Sequence, residues 1–566
     1  MKNKEIAEIF YEIADLLEME EVSFKPRAYR KAAQNIESLG EDIEELSKKN
    51  ELEDIPGIGK SIAEKIREYL KTGKVKKLEE LKENTPIDIE RLTAVETLGP
   101  KKIKKLYDEL KIKNLDDLEN AAKKNKIRKL EGFGEKTEEN ILKNIEFARK
   151  EKNRFLLGFV LPEAKKIISS LEKKVDMIEL AGSIRRKRAT IGDVDILVVS
   201  SNPVKTMDYF TSLNDVEEVI AKGETKSTVL VTGGIQIDLR IVKKESFGSA
   251  LQYFTGSKDH NIAVRKIAIK NGYKLNEYGL FKGDDKKAGE TEKEVYQSLG
   301  MQWIPPELRE NRGEINLALE NKIPRLVELD DVKGDLQMHT TWSDGSNSIE
   351  EMVEEAKKLG HEYIALTDHV GTLKVAGGMD LEKVKKQAKE IKKVQSKHDD
   401  IHIFHGAEAN IMKDGSLDVG EELLDFVDVV LASIHSAFRM KEKEMTDRIV
   451  KAISNEQVNI LSHPTGRKIF KKETMNFDFE KVVDKAVENN VALEINAYPE
   501  RLDLDDLKVK KAIEKGAKIS IGTDSHRKDN LRYYELGVSV ARRGWAQKKD
   551  IINTYDIKKI KNFFNK

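Results

Sequence analysis

From residue 334 onward, short apolar runs alternate with helical stretches rich in Lys and Glu: YIALTDH, VVLASIHS, VNILSHP, VALEINA and AKISIGTDSH. Strands separated in this way by helices are parallel, because a parallel neighbour needs a crossover, so the segment reads as a mostly parallel sheet or a barrel. Each run closes on His, Asp or Asn, and in α/β folds the carboxyl ends of strands are where sites are built. The chain has ten histidines, and only His260 precedes position 339. A random scatter would put roughly six there, so the chemistry changes near residue 335. The segment KIPRLVELDDVKGDLQMH, with Pro324, an acidic pair and Gly334, reads as a linker (326–333) leading into a domain over 334–566.

At 566 residues the chain is too long for one core. With 39% hydrophobic and 36% charged residues it reads as a soluble globular protein. No apolar run approaches the roughly 20 residues of a membrane span, and MKNKEIAEIF lacks a signal-peptide pattern. Cysteine is absent, so any metal must sit on His, Asp or Glu, and a cytoplasmic location is expected. The 101 basic and 101 acidic residues cancel, which argues against a uniformly basic nucleic-acid coat. Backbone N–H groups at helix starts can still hold phosphates without net charge.

Residues 1–150 read as helical throughout, with apolar positions three and four apart (Ile6, Ile9, Phe10, Ile13, Leu16, Leu17). They fall into 1–80, carrying the first of three repeats, and 81–150, carrying the others. IPGIGKSIAEKI (55–66), VETLGPKKIKKL (95–106) and LEGFGEKTEENI (130–141) align without gaps. A Gly-x-Gly turn reverses the chain tightly, and the next helix offers free N–H groups to a phosphate. Gly57, Gly59, Gly99, Gly132 and Gly134 fill these positions, so the repeats read as helix–hairpin–helix units binding DNA without regard to sequence. The second copy departs from the pattern at Glu96 and Thr97.

The chain then turns mixed, in two stretches over 151–243 and 244–325. In AGSIRRKRATIGDVDILVV a strand puts Asp193 and Asp195 on one face. IQIDLRIV puts Ile235, Ile237, Leu239 and Ile241 on the core face and Asp238 opposite. Three carboxylates on adjacent strands can hold two Mg²⁺ ions about 4 Å apart for in-line phosphoryl transfer. Ser183 and Arg186, after a Gly turn, are placed to grip a triphosphate.

GSIRRKRATIGDVDIL resembles the nucleotidyltransferase signature of family X DNA polymerases, close to polymerase beta. The likeness continues through YFTGSKDHNIAVR (253–265), KLNEYGLF (274–281) and WIPPELREN (303–311). It implies that 151–243 is a palm and 244–325 a thumb, and that Asp193, Asp195 and Asp238 bind the metals, with Asp238 near the primer 3′-hydroxyl. Ser183, Arg186, Gly192 and Gly256 would bind the nucleotide, and Tyr253 and Phe254 would line its sugar. Asn261 and Arg265 would face the nascent pair and the template. Lys258 stands where polymerase beta has an acidic residue.

GIGKSIAEKI also resembles the lyase domain of that family, with Lys65 at its Schiff-base position and Ser61 replacing a phosphate-binding lysine. FKPRAYRKAA (24–33) would place Lys25, Tyr29 and Lys31 near a 5′-phosphate. The plain alternative for Lys65 is a solvated surface lysine.

GDLQMHTTWSDG, ALTDH, GAEAN, SIHS, SHPTGR and GTDSH, in that order, resemble the metal motifs of the PHP (polymerase and histidinol phosphatase) domain, a distorted β/α barrel. The implied ligands are His339, Asp344, His369, Glu408, His435, His463, Asp524 and His526, holding up to three Zn²⁺ or Mn²⁺ ions, with Arg467 on the scissile phosphate. His361, His398, His402 and His405 fall in no motif. The usual opening His-x-His is Gln337-Met338-His339 here, a weaker ligand set.

The fold expected is therefore multidomain, α and α/β, of the bacterial and archaeal type of family X polymerase with a C-terminal PHP domain. The resemblance implies a monomer that fills short gaps in nicked or gapped double-stranded DNA from dNTPs during base excision repair. It also implies 3′→5′ exonuclease and abasic-site endonuclease activities, and 5′-deoxyribose phosphate lyase activity. Two alternatives stay open: a nucleotidyltransferase with a PHP phosphatase acting on other substrates, and a polymerase whose PHP domain is inactive and structural.

Overall fold

The computed structural model describes residues 2–37, 43–55, 57–85, 87–93, 95, 98–150, 154–372, 376–472 and 474–565. Glu96 and Thr97, where the second repeat departs from the pattern, lie outside them.

 The chain falls into two compact units, Met1–Asn153 with Phe470–Lys472, and Arg154–Ile469 with Glu473–Lys566.

The first unit is helical, as its three-and-four apolar spacing requires. Ile6, Phe10, Ile13 and Leu17 of the helix Lys2–Met19 are buried with Ala32, Ala33 and Ile36 of Lys25–Glu37 in one core. That core runs on through Ile62 and Ile66 of Lys60–Thr72, Ile103 and Leu106 of Pro100–Leu110, and Ile141 and Ile145 of Glu135–Lys150.

The second unit begins with a five-stranded palm sheet of β1 (Met177–Leu180), β2 (Asp193–Val199), β3 (Val216–Lys222), β4 (Lys226–Val231) and β5 (Ile235–Ile241), in the order β1-β2-β5-β4-β3. Only β2 and β5 run parallel, in a register that sets Asp195 opposite Asp238. Val194, Ile196, Ile237 and Leu239 are buried on the other face, against the helix Leu157–Glu172. The thumb has the helices Phe247–Thr255 and Lys258–Lys270 and an antiparallel sheet of β6 (Lys274–Asn276), β7 (Gly279–Lys282) and β8 (Asp285–Ala288).

Seven parallel strands follow: β9 (Gly334–Met338), β10 (Tyr363–Leu366), β11 (His402–Asn410), β12 (Val429–Ser433), β13 (Ile460–Leu461), β14 (Ala492–Asn496) and β15 (Ile519–Gly522). Each pairs with the next in sequence order. A bridge between Met338 and Ser525 and the bond from Asp524 N to Gln337 O (3.0 Å) bring the last strand back to the first. The result is a near-closed barrel wrapped by helices, so the carboxyl ends of all seven strands converge at one mouth.

Candidate active sites

In the helical unit, Gly57 and Gly132 have φ of 79° and 84°, a left-handed conformation that the hairpin turn requires. Gly59 and Gly99 cap the helices Lys60–Thr72 and Pro100–Leu110, and Gly134 O accepts the first bonds of the third. A Cβ at Gly59, Gly99 or Gly134 would meet nothing within 4 Å. Neither packing nor a positive φ calls for glycine at these three, whereas close approach by an outside group would. The stem of Lys31 packs on the Gly57 turn. Lys25 is exposed, while Tyr29 is buried edge-on against Phe10. Lys65 Nζ donates to Ser61 O and Ser61 Oγ, at 3.0 and 3.1 Å.

In the palm, Gly182 (φ 61°) opens the short helix Gly182–Arg185 directly over Asp195, where an added Cβ would lie 2.6 Å from Asp195 Oδ2. Ser183 follows on that helix, and Gly192 precedes β2. Burial pushes the Asp195 carboxyl up to about 6, helped by the neighbouring charges of Asp193 and Asp238. Burial acts the same way on Asp238, but bonds from Lys226 Nζ (2.7 Å) and Thr228 Oγ1 (2.7 Å) outweigh it and hold that carboxyl down. Crowded carboxylates of this kind fit divalent cations, which relieve their mutual repulsion.

Arg186 Nε donates to Glu310 Oε1 at 3.2 Å, and Nη1 donates to Thr255 O, one residue before Gly256. Tyr253 and Phe254 meet edge-on, with Arg265 over the first ring and Arg240 over the second. Asn261 Nδ2 donates to Tyr253 O (2.7 Å), and Arg265 Nε to Asn261 O (3.3 Å). Lys258 is exposed at the start of its helix. Behind these residues Arg185 and the fully buried Arg309 both bond Glu292. Sequence reasoning missed Lys226 and Glu292, because each partner lies at least twelve residues away from the group it serves and only the folded register joins them.

At the mouth of the barrel Glu408 stands at the centre. His435 Nε2 and His463 Nε2 lie 3.3 and 3.2 Å from Glu408 Oε1, and His339 Nε2 and His369 Nδ1 lie 3.3 and 3.6 Å from Oε2. Asp524 Oδ1 is 3.2 Å from His339 Nε2, and Asp344 Oδ1 is 3.3 Å from His526 Nε2. All eight residues singled out in the sequence therefore meet in one cluster. Burial opposes charge on Glu408, but the surrounding imidazoles outweigh it and hold its carboxyl well below the usual range. Burial pushes His369 down to about 4 against the pull of Glu408, with the neighbouring His339 and His435 acting in the same direction. Both ring nitrogens of His339, Nδ1 of His369 and Nδ1 of His463 are buried without a hydrogen-bond partner. Buried lone pairs of this kind fit metal ions better than a closed hydrogen-bond network.

Gln337 is fully buried in this cluster, and its Nε2 donates to Glu408 Oε2 at 3.2 Å. Arg467 donates Nε to Arg501 O at 2.8 Å and Nη2 to Leu502 O, so its guanidinium braces a loop. Arg501 instead reaches the cluster, with Nε 3.6 Å from Asp524 Oδ2, and nothing in the motif pattern had marked it. The histidines outside the motifs lie apart: His361 edge-on to Tyr534, His402 edge-on to Phe404, His405 on Gln387, and His398 between Lys357 and Glu350.

Family models match along the chain: a helix-hairpin-helix domain over residues 1–75, a SAM-like helix-hairpin-helix tandem over 73–146, the DNA polymerase beta thumb over 250–310 and the PHP domain over 335–498. The chain is 37% identical over its whole length to the whole of "DNA polymerase/3'-5' exonuclease PolX" of Bacillus subtilis (strain 168). It is 26% identical to DNA polymerase lambda of Arabidopsis thaliana over 54% of this chain and 62% of that one. Over 40% of this chain it is 32% identical to 93% of a "Probable phosphatase" of Thermoanaerobacter sp. (strain X514). Barrel cluster, palm carboxylates, thumb and hairpin repeats stand together in one full-length match, and the chain belongs to the family X DNA polymerases that carry helix–hairpin–helix, thumb and PHP domains.

Proposed function

We propose that this chain fills short gaps in DNA during base excision repair by two-metal nucleotidyl transfer, and that its PHP domain degrades DNA 3′→5′ and incises abasic sites. The observation that carries the polymerase reading is the Gly182–Ser183 turn pressed onto Asp195, with Asp195 paired in register with Asp238. Asp193, Asp195 and Asp238 hold two Mg²⁺ ions, which when bound favour ionisation of the primer hydroxyl and neutralise the departing pyrophosphate. Asp238, held charged by Lys226, faces that hydroxyl. Ser183, Arg186, Gly192 and Gly256 bind the triphosphate, Tyr253 and Phe254 select the sugar, and Asn261 and Arg265 face the new pair and the template.

In the PHP domain the eight ligands hold Zn²⁺ or Mn²⁺, which when bound activate water against a phosphodiester. Gln337 gives Glu408 a hydrogen bond where a ligand would otherwise stand, so this corner binds its ion less tightly. Arg501 joins or replaces Arg467 on the phosphate. Gly57, Gly59, Gly99, Gly132 and Gly134 lead backbone N–H groups to DNA phosphates, with Lys25, Lys31 and Tyr29 beside the first hairpin. Lys65 serves as the lyase nucleophile once Ser61 releases it. The protein acts as a cytoplasmic monomer built of domains over 1–80, 81–150, 151–243, 244–325 and 334–566.

A labelled-primer assay on gapped DNA tests both activities, with Mg²⁺ or Mn²⁺ and with or without dNTPs. Asp193→Ala/Asp195→Ala is expected to abolish extension only, and His435→Ala/His463→Ala to abolish degradation only. Extension surviving the first pair would sink the polymerase site. For Lys65, borohydride trapping on an incised abasic site should give a crosslink that Lys65→Ala removes.

A further inference from the structure

The polymerase half and the PHP domain share a partly buried ionic network. Arg543 ends the PHP helix Tyr534–Arg543, and its guanidinium bridges its own domain and the polymerase half. Its Nη1 donates to Arg186 O at 2.7 Å and to Glu310 Oε1 at 3.1 Å, while Nη2 donates to Asp506 Oδ2 at 2.6 Å. The same Glu310 oxygen accepts from Arg186 Nε at 3.2 Å and lies 3.7 Å from Arg188 Nη1. Asp506 Oδ2 also accepts from Arg312 Nη1 at 2.9 Å, which anchors the far end of the network on the thumb side. Arg543 is only 4% exposed, so water does little to screen these contacts. Burial works against a charged Glu310, yet Arg186, Arg543 and Arg188 outweigh it and hold the carboxyl low.

One carboxylate thus serves three guanidiniums, and Arg186 is left partly unneutralised. Its Nε and Nη1 are engaged, and its Nη2 has no acceptor among the described residues.

We propose that Arg543 of the PHP domain is a positioning residue for nucleotide binding at the polymerase site. By sharing Glu310 and fixing the Arg186 backbone, it leaves the Arg186 guanidinium less fully neutralised and aimed at the incoming triphosphate. This rests on the reading of Arg186 as a triphosphate ligand. Without Arg543, Glu310 belongs to Arg186 and Arg188 alone and competes with the triphosphate for Arg186.

Steady-state extension by the full-length chain, with dNTP varied, tests it. Arg543→Met is expected to raise KM for dNTP about tenfold, within the range of couplings between sites, with kcat little changed. DNA degradation should stay at the wild-type rate, which shows that the variant is folded. Arg543→Lys should fall between the two. Adding Glu310→Gln to Arg543→Met removes the competitor, so KM should return to within about twofold of wild type by the same coupling. If the second substitution raises KM further, the contact only holds the domains together and the proposal fails. Arg186→Met separates the two levels of the argument. If it raises KM while Arg543→Met does not, the proposal is wrong and the reading of Arg186 stands. If Arg186→Met leaves KM unchanged, that reading falls and takes the proposal with it.

Discussion

At Gly182 both the backbone and the space above it exclude a side chain: φ is 61°, and a Cβ would press on Asp195 Oδ2. Gly182→Ala should therefore displace the Asp195 carboxylate, the proposed metal ligand, while leaving the sheet beneath it intact. Extension is expected to fall at least tenfold, the scale of losses when a group supporting a metal site is disturbed, with DNA degradation unchanged. Equal loss of both activities would point to misfolding. His361 makes a different prediction. Buried beside Tyr534, it is pushed down by burial to about 4 from an ordinary 6.5. Its neutral form is the one that fits, so its contribution is complete above pH 6.5 and is lost as pH falls towards 4. Between pH 7 and pH 5, wild type should lose on the order of 2 kcal/mol more stability than His361→Phe, from a shift of this size. Urea midpoints that move in parallel for the two proteins would refute this. The placing of the palm carboxylates together and of the eight barrel residues in one cluster was legible because each sits in a local motif. Lys226, Arg501 and Arg543 were not, because their partners lie 12, 23 and 233 or more residues away in Asp238, Asp524 and Glu310.

Strands and helices were easier to read than the links between them. The alternation along IQIDLRIV and DVDILVV set which face each carboxylate occupies, but not that β2 and β5 are parallel neighbours. The run VNILSHP contributes only the two-residue strand Ile460–Leu461, paired on both sides within the sheet. One link between elements carries a test. Glu292, at the start of the helix Glu292–Ser298, binds Arg185 of the palm and Arg309 of the thumb, and Arg309 has no exposed surface. Removing one member of a buried pair strands the other charge at a cost of about 3–5 kcal/mol. Glu292→Gln should show that loss in urea unfolding, with Arg309→Met on the same background recovering part of it. A loss below about 1 kcal/mol, the worth of an exposed pair, would mean that water reaches these arginines.

For the molecule as a whole, the sequence suggested separate domains joined by a linker at 326–333, while the palm and the PHP barrel in fact share one hydrophobic core. Leu157, Val160, Leu161 and Ala164 of the first palm helix belong to the same cluster as Ile495, Ala497, Leu536 and Val540 of the barrel. No local pattern reveals this, because an apolar helix face looks the same whichever sheet it covers. Gly158 lies at this seam, where a Cβ would come within 2.7 Å of the Pro499 side chain and 2.9 Å of Leu536 Cδ1. Gly158→Val overpacks the seam, and crowding of this kind costs about 1–3 kcal/mol. Because the core is continuous, extension and DNA degradation should be lost at the same temperature in wild type. Gly158→Val should lower both together, by roughly 2 °C or more for that cost. The helical unit has a core of its own and should give a separate transition, unmoved by the substitution. Calorimetry with activity measured on heated samples decides the matter, and two activities lost at different temperatures would show that palm and barrel unfold independently despite their common core.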